Sequence, residues 1–290
     1  MQTESAVMLA EPGLFVAEAQ TQIMPRQSSA EGYGRFALAA AMIGLGVLGL
    51  VTGDLAAVWQ HLPIEDMPGA KVIAYACAAF ELVAGVGLLT ARGSAIAAPA
   101  LAVFLLLWVV LLKLPAVIFV PQMLATWLGA GEIAVILAGA WVLYARASSG
   151  TAAGWVGKIS GERGVRAARV LFAISLPTIG LAHFVYGKET AALVPPWLPF
   201  HYGLAYLTGA GSLFACIGIL SGTYARLAAS LEAGMMIVIT LLVWMPGISP
   251  NPTNQFQLTG FLISSAIAAG AWVVADSYRK SAWLAIAEDA

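Results

Sequence analysis

The sequence predicts an all-α fold: a polytopic membrane protein whose eight transmembrane helices form two parallel-oriented four-helix repeats. Of the 290 residues, 60% are hydrophobic and only 10% are charged, whereas roughly a quarter of the residues in soluble domains are charged. Eight apolar stretches and a similarity between the two halves of the chain complete the prediction. The high hydrophobic content excludes a disordered chain, and two cysteines are too few for a disulfide framework. The net charge of −1 and the lack of a basic stripe argue against a nucleic-acid-binding protein.

Each apolar stretch is long enough to cross the hydrocarbon core, which takes about 20 residues of helix. The stretches lie at 36–56, 70–90, 95–116, 126–146, 167–186, 202–222, 225–245 and 258–277. Their length favours helices over a β-barrel, whose strands would be shorter and would alternate apolar with polar residues.

Polar segments flank and join two units, 35–146 and 167–278. Residues 1–34 have no long apolar run and lack the charge pattern of a signal peptide, which predicts a mobile cytoplasmic tail. Residues 147–166 combine Gly and Ser with basic side chains, which is typical of a flexible linker, here cytoplasmic. Residues 279–290 are expected to form a second cytoplasmic tail.

The basic residues predict the orientation. With eight spans, both termini and the even-numbered loops share one side, and 11 of the 14 Lys and Arg residues lie there. The exceptions are Lys71, Lys113 and Lys188. Because Lys and Arg accumulate in cytoplasmic loops, we expect a multi-pass protein of the plasma (bacterial inner) membrane with both termini cytoplasmic.

The repeat prediction rests on segments that recur at a fixed spacing. Ala138–Val142 recurs as Ala269–Val273, a spacing of 269 − 138 = 131 residues that we call the repeat offset. The same offset takes Pro115 to Pro246. Ile43–Leu45 recurs as Ile179–Leu181 at a slightly longer spacing. Four helices per copy is an even number, so both copies have the same orientation and are related by an axis along the membrane normal.

Each unit resembles a DoxX-like four-helix membrane unit, and the resemblance covers roughly residues 36–277. The segments that carry it are Gly180–Phe184 and Ala192–Pro199 in the second unit, and Trp59–Pro63, Glu81, Gly85, Leu114, Pro115, Trp127 and Glu132 in the first. The resemblance implies a role in quinone-linked redox or oxidative-stress metabolism. The partners that it implies are a quinone or a soluble redox partner, in addition to membrane lipids. A tandem copy departs from the single unit that is usual in this family.

Glu81 is the first ionisable residue that the sequence places inside the membrane. It lies about ten residues into the second span, near the midplane. Charges are costly at this depth, so Glu81 is either a proton acceptor or polar anchor for a ligand, or a neutral acid that is hydrogen-bonded to a neighbouring helix.

Lys113 and Glu132 form the second case. They lie at similar depths in adjacent antiparallel spans, which favours a structural ion pair over a catalytic role. Glu81 and Glu132 both match positions where the DoxX-like pattern often has an acid. Their counterparts at the repeat offset are Ser212 and Ile263, which predicts that any acid chemistry is confined to the first unit.

His183 completes this candidate polar site, because it lies at the level of Glu132. Three histidines could in principle bind a metal, but the sequence has no short ligand spacing, so no metal site is predicted. The sequence has no pair of histidines within one apolar stretch that could ligate haem, and no Gly-rich loop that could bind phosphate. The cysteines, Cys77 and Cys216, are expected to fill space in the core.

Tryptophan and proline accumulate on the outward side. The residues Trp59, His61, Pro195, Trp197 and His201 are candidates for a lid over a cavity that admits a lipid-soluble molecule such as a quinone. The alternative is an aromatic belt at the membrane interface.

Three functions remain open from the sequence. The first is a subunit of quinone-linked redox metabolism that binds a lipid-soluble molecule. The second is a small-molecule or lipid transporter built from two related halves, and the third is a non-catalytic membrane scaffold. The sequence contains no pairing of nucleophile and base, so it identifies no catalytic residue.

Overall fold

The computed structural model describes residues 33–54, 68–148, 154, 156–248 and 253–286. Within these ranges the secondary structure is helical, and eight helices are long and apolar enough to cross a membrane. They are α1 (Tyr33–Thr52), α2 (Ala70–Leu88), α3 (Ala91–Phe119), α4 (Leu124–Ala147), α5 (Gly161–Val185), α6 (His201–Ser221), α7 (Ala225–Ile248) and α8 (Gln255–Ser277). The prediction of an all-α, multi-pass membrane protein is confirmed for the described residues.

The start of α5 differs most from its predicted boundary. The helix begins at Gly161, six residues before the predicted span, and a short helix, Val156–Ile159, precedes it. This part of the expected flexible linker is therefore helical, and the indole N–H of Trp141 on α4 donates a hydrogen bond to the Ile159 carbonyl at 2.8 Å. Hydropathy missed it because the first turns of α5 are charged, and an acid such as Glu162 is favourable at a helix N-terminus.

An irregular turn interrupts α3 and α7 at corresponding places. Val109–Lys113 in α3 and Thr240–Trp244 in α7 are π-helical, and Pro115 and Pro246 follow them. Proline donates no backbone N–H and its ring crowds the carbonyl four residues earlier, so a wider turn accommodates it. The repeat offset takes the first of these turns onto the second.

The helices α4 and α8 form the centre of the bundle and are its most buried members. Helix α4 packs against α3, α5 and α8, and α8 packs against α7, α1 and α4. Two outer pairs, α1 with α2 and α5 with α6, complete the arrangement. At the centre, a Cβ added to Gly139 would lie 2.6 Å from the Gly270 Cα. Glycine at this crossing lets the two backbones touch, which is how helices gain packing energy in lipid.

The chain beyond α8 packs back against the bundle. The Tyr224 N–H donates to the Ala285 carbonyl at 2.8 Å, and Arg226 donates through Nη1 to the Ser281 carbonyl at 2.9 Å. The described part of the predicted tail, up to residue 286, is therefore attached to the ends of the helices rather than detached from them.

Candidate functional site

Three of the four predicted polar residues meet in one cavity. Glu81 of α2, Lys113 of α3 and Glu132 of α4 line a space of about 60 Å³, which we call the first cavity. Its remaining walls are apolar and come from α1, α3, α4 and α8. A water molecule needs about 10–15 Å³ of such space, so the first cavity has room for a few waters beside the three ionisable groups.

The irregular turn of α3 places Lys113. This residue closes the π-helical turn and is only 2% exposed. Lys113 and Glu132 face the same cavity, but they form no direct ion pair or hydrogen bond with each other in the structure. The expected contact is thus replaced by an electrostatic interaction across the cavity.

A larger cavity lies on the other side of Glu132. This second cavity has a volume of about 420 Å³ and is enclosed by α4, α5, α7, α8 and the short helix Gly187–Leu193. Its polar lining residues are Glu132, His183, Tyr186, Glu189, Thr190 and Ser264. The volume falls in the range of small-molecule sites, which are mostly apolar with a few placed polar groups.

Hydrogen bonds inside the protein hold two of the polar groups of the second cavity, those of His183 and Tyr186. His183 Nδ1 lies 2.9 Å from the Ile179 carbonyl. Because a carbonyl only accepts, Nδ1 carries the proton in this bond, and Nε2 remains for another partner. The Tyr186 hydroxyl accepts the Ala125 N–H at 3.1 Å, so its own proton remains available as a donor.

Glu132 belongs to both cavities, together with Gly129. The structure therefore divides the predicted site in two. Glu81 and Lys113 lie in the first cavity, His183 lies in the second, and Glu132 lies between them.

Among the described members of the predicted lid, Pro195 is the one that lines a cavity near the candidate site. Pro195 and Leu198 line a third cavity of about 180 Å³, together with His183. The Trp197 side chain is 68% exposed, as an interfacial belt would require. His201 begins α6 and is not among the described residues that line these three cavities. Trp59 and His61 lie outside the described residues.

Sequence reasoning missed a buried acid in the second half of the chain. Glu232 of α7 is 2% exposed, and its Oε1 accepts a hydrogen bond from the Ser212 hydroxyl at 2.9 Å. The second unit therefore has a buried acid of its own, although the counterparts of Glu81 and Glu132 are not acids. An acid inside the predicted span 225–245 was itself a signal for this residue.

Ser212 lies at the repeat offset from Glu81, on α6. In the second half this position supplies a hydroxyl donor, and the carboxyl comes from the adjacent helix α7.

Comparisons of the chain with protein-family models, with curated proteins and with solved structures gave no match.

Proposed function

We propose that this chain is a DoxX-like integral membrane protein that binds a lipid-soluble molecule in the second cavity, as a subunit of quinone-linked redox or oxidative-stress metabolism. The observation that carries the proposal is a cavity of about 420 Å³ within the spanning helices, with apolar walls and few polar groups. Such walls suit a molecule that is dissolved in the bilayer.

The polar groups of the second cavity suit a quinone. A quinone presents carbonyl oxygens that accept hydrogen bonds, and the Tyr186 hydroxyl proton is available to donate one. Reduction of a quinone to its quinol takes up two protons together with two electrons, and in this proposal the soluble redox partner supplies the electrons. Glu132, His183 and Glu189 line the cavity and are groups that can carry protons to the ligand.

We also propose that the two halves are parallel repeats. The outer helix pairs and the two π-helical turns correspond between the halves. The cavities correspond as well at the repeat offset: Phe104, Leu105, Trp108 and Ile136 line the first, and Met235, Met236, Ile239 and Ile267 line the second. Glu132 of the first half also lines the second cavity, and its counterpart Ile263 lines the first. Such contacts of each half with the cavity of the other support a two-fold axis between α4 and α8.

The proposed location is the bacterial inner membrane with both termini cytoplasmic. The support is the distribution of basic residues, which gather where α4 and α8 end and α5 and α7 begin.

Mass spectrometry of small molecules that co-purify with the full chain in mild detergent tests the proposed function. We expect to recover a quinone with the unaltered chain. The variant His183→Leu should retain roughly five-fold less of it, because a hydrogen bond worth about 1 kcal/mol contributes about that factor. His201→Leu is the matched control and should retain it fully. A preparation without a bound quinone, or equal retention by both variants, would overturn the proposal, and recovery of a soluble partner alone would favour the scaffold.

A transporter is the second candidate, because the two cavities adjoin at Glu132 near the contact between the halves, where transporters built from repeats bind their substrates. It requires a path for water to the first cavity. A cysteine introduced at Leu105, which lines that cavity, should then react with a membrane-impermeant thiol reagent from one side. Complete protection from both sides would exclude a transporter with an aqueous path.

A further inference from the structure

A separate cavity of about 350 Å³ lies at the basic end of the bundle, where α5 and α7 begin and α6 ends. We call it the arginine cavity. Arg166, Arg169 and Arg226 line it, and no carboxylate is among its described lining residues. None of these three guanidinium groups forms an ion pair with an acid in the part of the chain that the structure describes. The cavity therefore concentrates positive charge without compensation from its own walls.

Two of the arginines are held in fixed positions by neutral groups. Arg169 donates to the Ser277 hydroxyl at 2.7 Å and to the Ser277 carbonyl, and its guanidinium lies 3.8 Å from the centre of the Tyr278 ring. Arg226 lies 4.0 Å from the centre of the Trp283 ring. Each guanidinium has five N–H donors, and these bonds occupy only some of them. The remaining donors are free of hydrogen bonds to the described residues, and they belong to side chains that these contacts hold in place.

The other polar groups of the arginine cavity do not supply the missing negative charge. Burial raises the pKa of the Tyr278 hydroxyl, although the charge of Arg169 opposes the shift, so the phenol stays neutral. The neighbouring cavity of about 310 Å³ shares Arg226 but is different, because Asp276 there pairs with Arg279 at 2.9 Å. Glu162 of α5 interacts electrostatically with Arg169 but does not line the arginine cavity, so the described lining of this cavity contains arginines and no acid.

The side of the arginine cavity that faces the membrane is apolar. Val170 of α5 and Leu220 of α6 line it and are 46% and 50% exposed. They lie on spanning helices directly next to the charged groups, which is how a site for an amphipathic molecule with an anionic head is built. Arginine binds phosphate oxygens through paired N–H groups, and basic pockets between transmembrane helices bind anionic headgroups.

We propose that the arginine cavity binds the phosphate group of an anionic membrane lipid, with the acyl chains along Val170 and Leu220. The site is at the opposite end of α5 from His183 and is independent of the molecule in the second cavity.

Native mass spectrometry of the full chain in detergent supplemented with phosphatidylglycerol or phosphatidylcholine tests the proposal. We expect preferential retention of phosphatidylglycerol. Arg166→Gln should weaken that retention about five-fold, the effect of one basic residue near an anionic lipid surface. Arg166 is the informative position because it is exposed and holds none of the chain beyond α8. Arg163→Gln is the matched control, since Arg163 is an exposed arginine of the same helix that does not line the arginine cavity.

The outcomes separate a lipid from a free anion and from non-specific attraction. Displacement of phosphatidylglycerol by excess inorganic phosphate supports a site that recognises the phosphate group. Thermal stabilisation by inorganic phosphate without any by phosphatidylglycerol overturns the lipid assignment in favour of a free anion. Equal retention of the two lipids, or equal loss in Arg163→Gln and Arg166→Gln, overturns the proposal altogether.

Discussion

Ser212 and Glu232 form a buried polar contact between α6 and α7, two helices that also touch along their apolar faces. In hydrocarbon a carboxyl group without a partner is costly, so the Ser212 hydroxyl satisfies a group that lipid cannot. From the sequence alone, Ser212 stands where the repeat offset from Glu81 would place an acid. The offset identifies this position, but it does not show that a neighbouring helix supplies the carboxyl group.

Removing that hydroxyl should destabilise the protein. We expect Ser212→Ala to lower the free energy of unfolding by about 1–3 kcal/mol, because it leaves the buried Glu232 without its donor. The measurement is the thermal midpoint in detergent. Ser230→Ala on α7 is the control, since the Ser230 side chain makes no hydrogen bond with the described residues, and an equal effect of the two changes would contradict the assigned bond.

Lys113 and Glu132 should prove coupled although they do not touch. In a double-mutant cycle of Lys113→Met and Glu132→Gln, we expect a coupling free energy of about 0.5–3 kcal/mol in the unfolding measurement, because both side chains face one small cavity whose remaining walls are apolar. Effects that add to within about 0.3–0.5 kcal/mol would show that the cavity does not connect them.

At the scale of elements, the sequence predicted the spans well because hydropathy over a window of membrane thickness is a strong signal. It failed where a helix continues into water, as α5 does through Glu162 and Arg163, since charge lowers hydropathy without preventing a helix. Pro115 and Pro246 in the sequence signal an irregularity in their helices, but they do not show that the turns before them are π-helical. The inward position of Lys113 depends on the local backbone, which composition does not encode.

The crossing of α4 and α8 should tolerate no added atom. We expect Gly139→Ala to destabilise the protein by about 1–3 kcal/mol, because the new Cβ would lie 2.6 Å from backbone that cannot turn aside. Gly234→Ala on α7 is the control, because a Cβ there meets nothing within 4 Å. The control should leave stability unchanged or raise it slightly through helix propensity. Thermal unfolding of both variants measures the difference, and a tolerant Gly139 would contradict the close approach.

At the scale of the whole molecule, the meeting of Glu81, Lys113 and Glu132 was partly predictable, because antiparallel neighbours bring equal depths together. The second cavity was not predictable in this way. It depends on how α4, α5, α7 and α8 pack, and no span taken alone carries that information. The separation of Lys113 from Glu132 has the same origin, since the space between two side chains is set by all the surrounding helices.

The proposed orientation can be measured in intact cells. In a background with Cys77 and Cys216 replaced by Ala, a membrane-impermeant thiol reagent should label Trp197→Cys from outside and should label Lys280→Cys only after the membrane is opened. Both side chains are exposed and lie at opposite ends of the spanning helices. The reverse labelling pattern would show that the protein has the opposite orientation in the membrane.

The position of Glu132 at the boundary of two cavities has a thermodynamic consequence. A ligand that draws this carboxyl towards the second cavity changes the polarity of the first, and the contents of the first change the carboxyl that the ligand meets. Binding in the two cavities is then reciprocally linked. The factor by which an occupant of one cavity changes the affinity of the other cavity equals the factor by which the second occupant changes the affinity of the first.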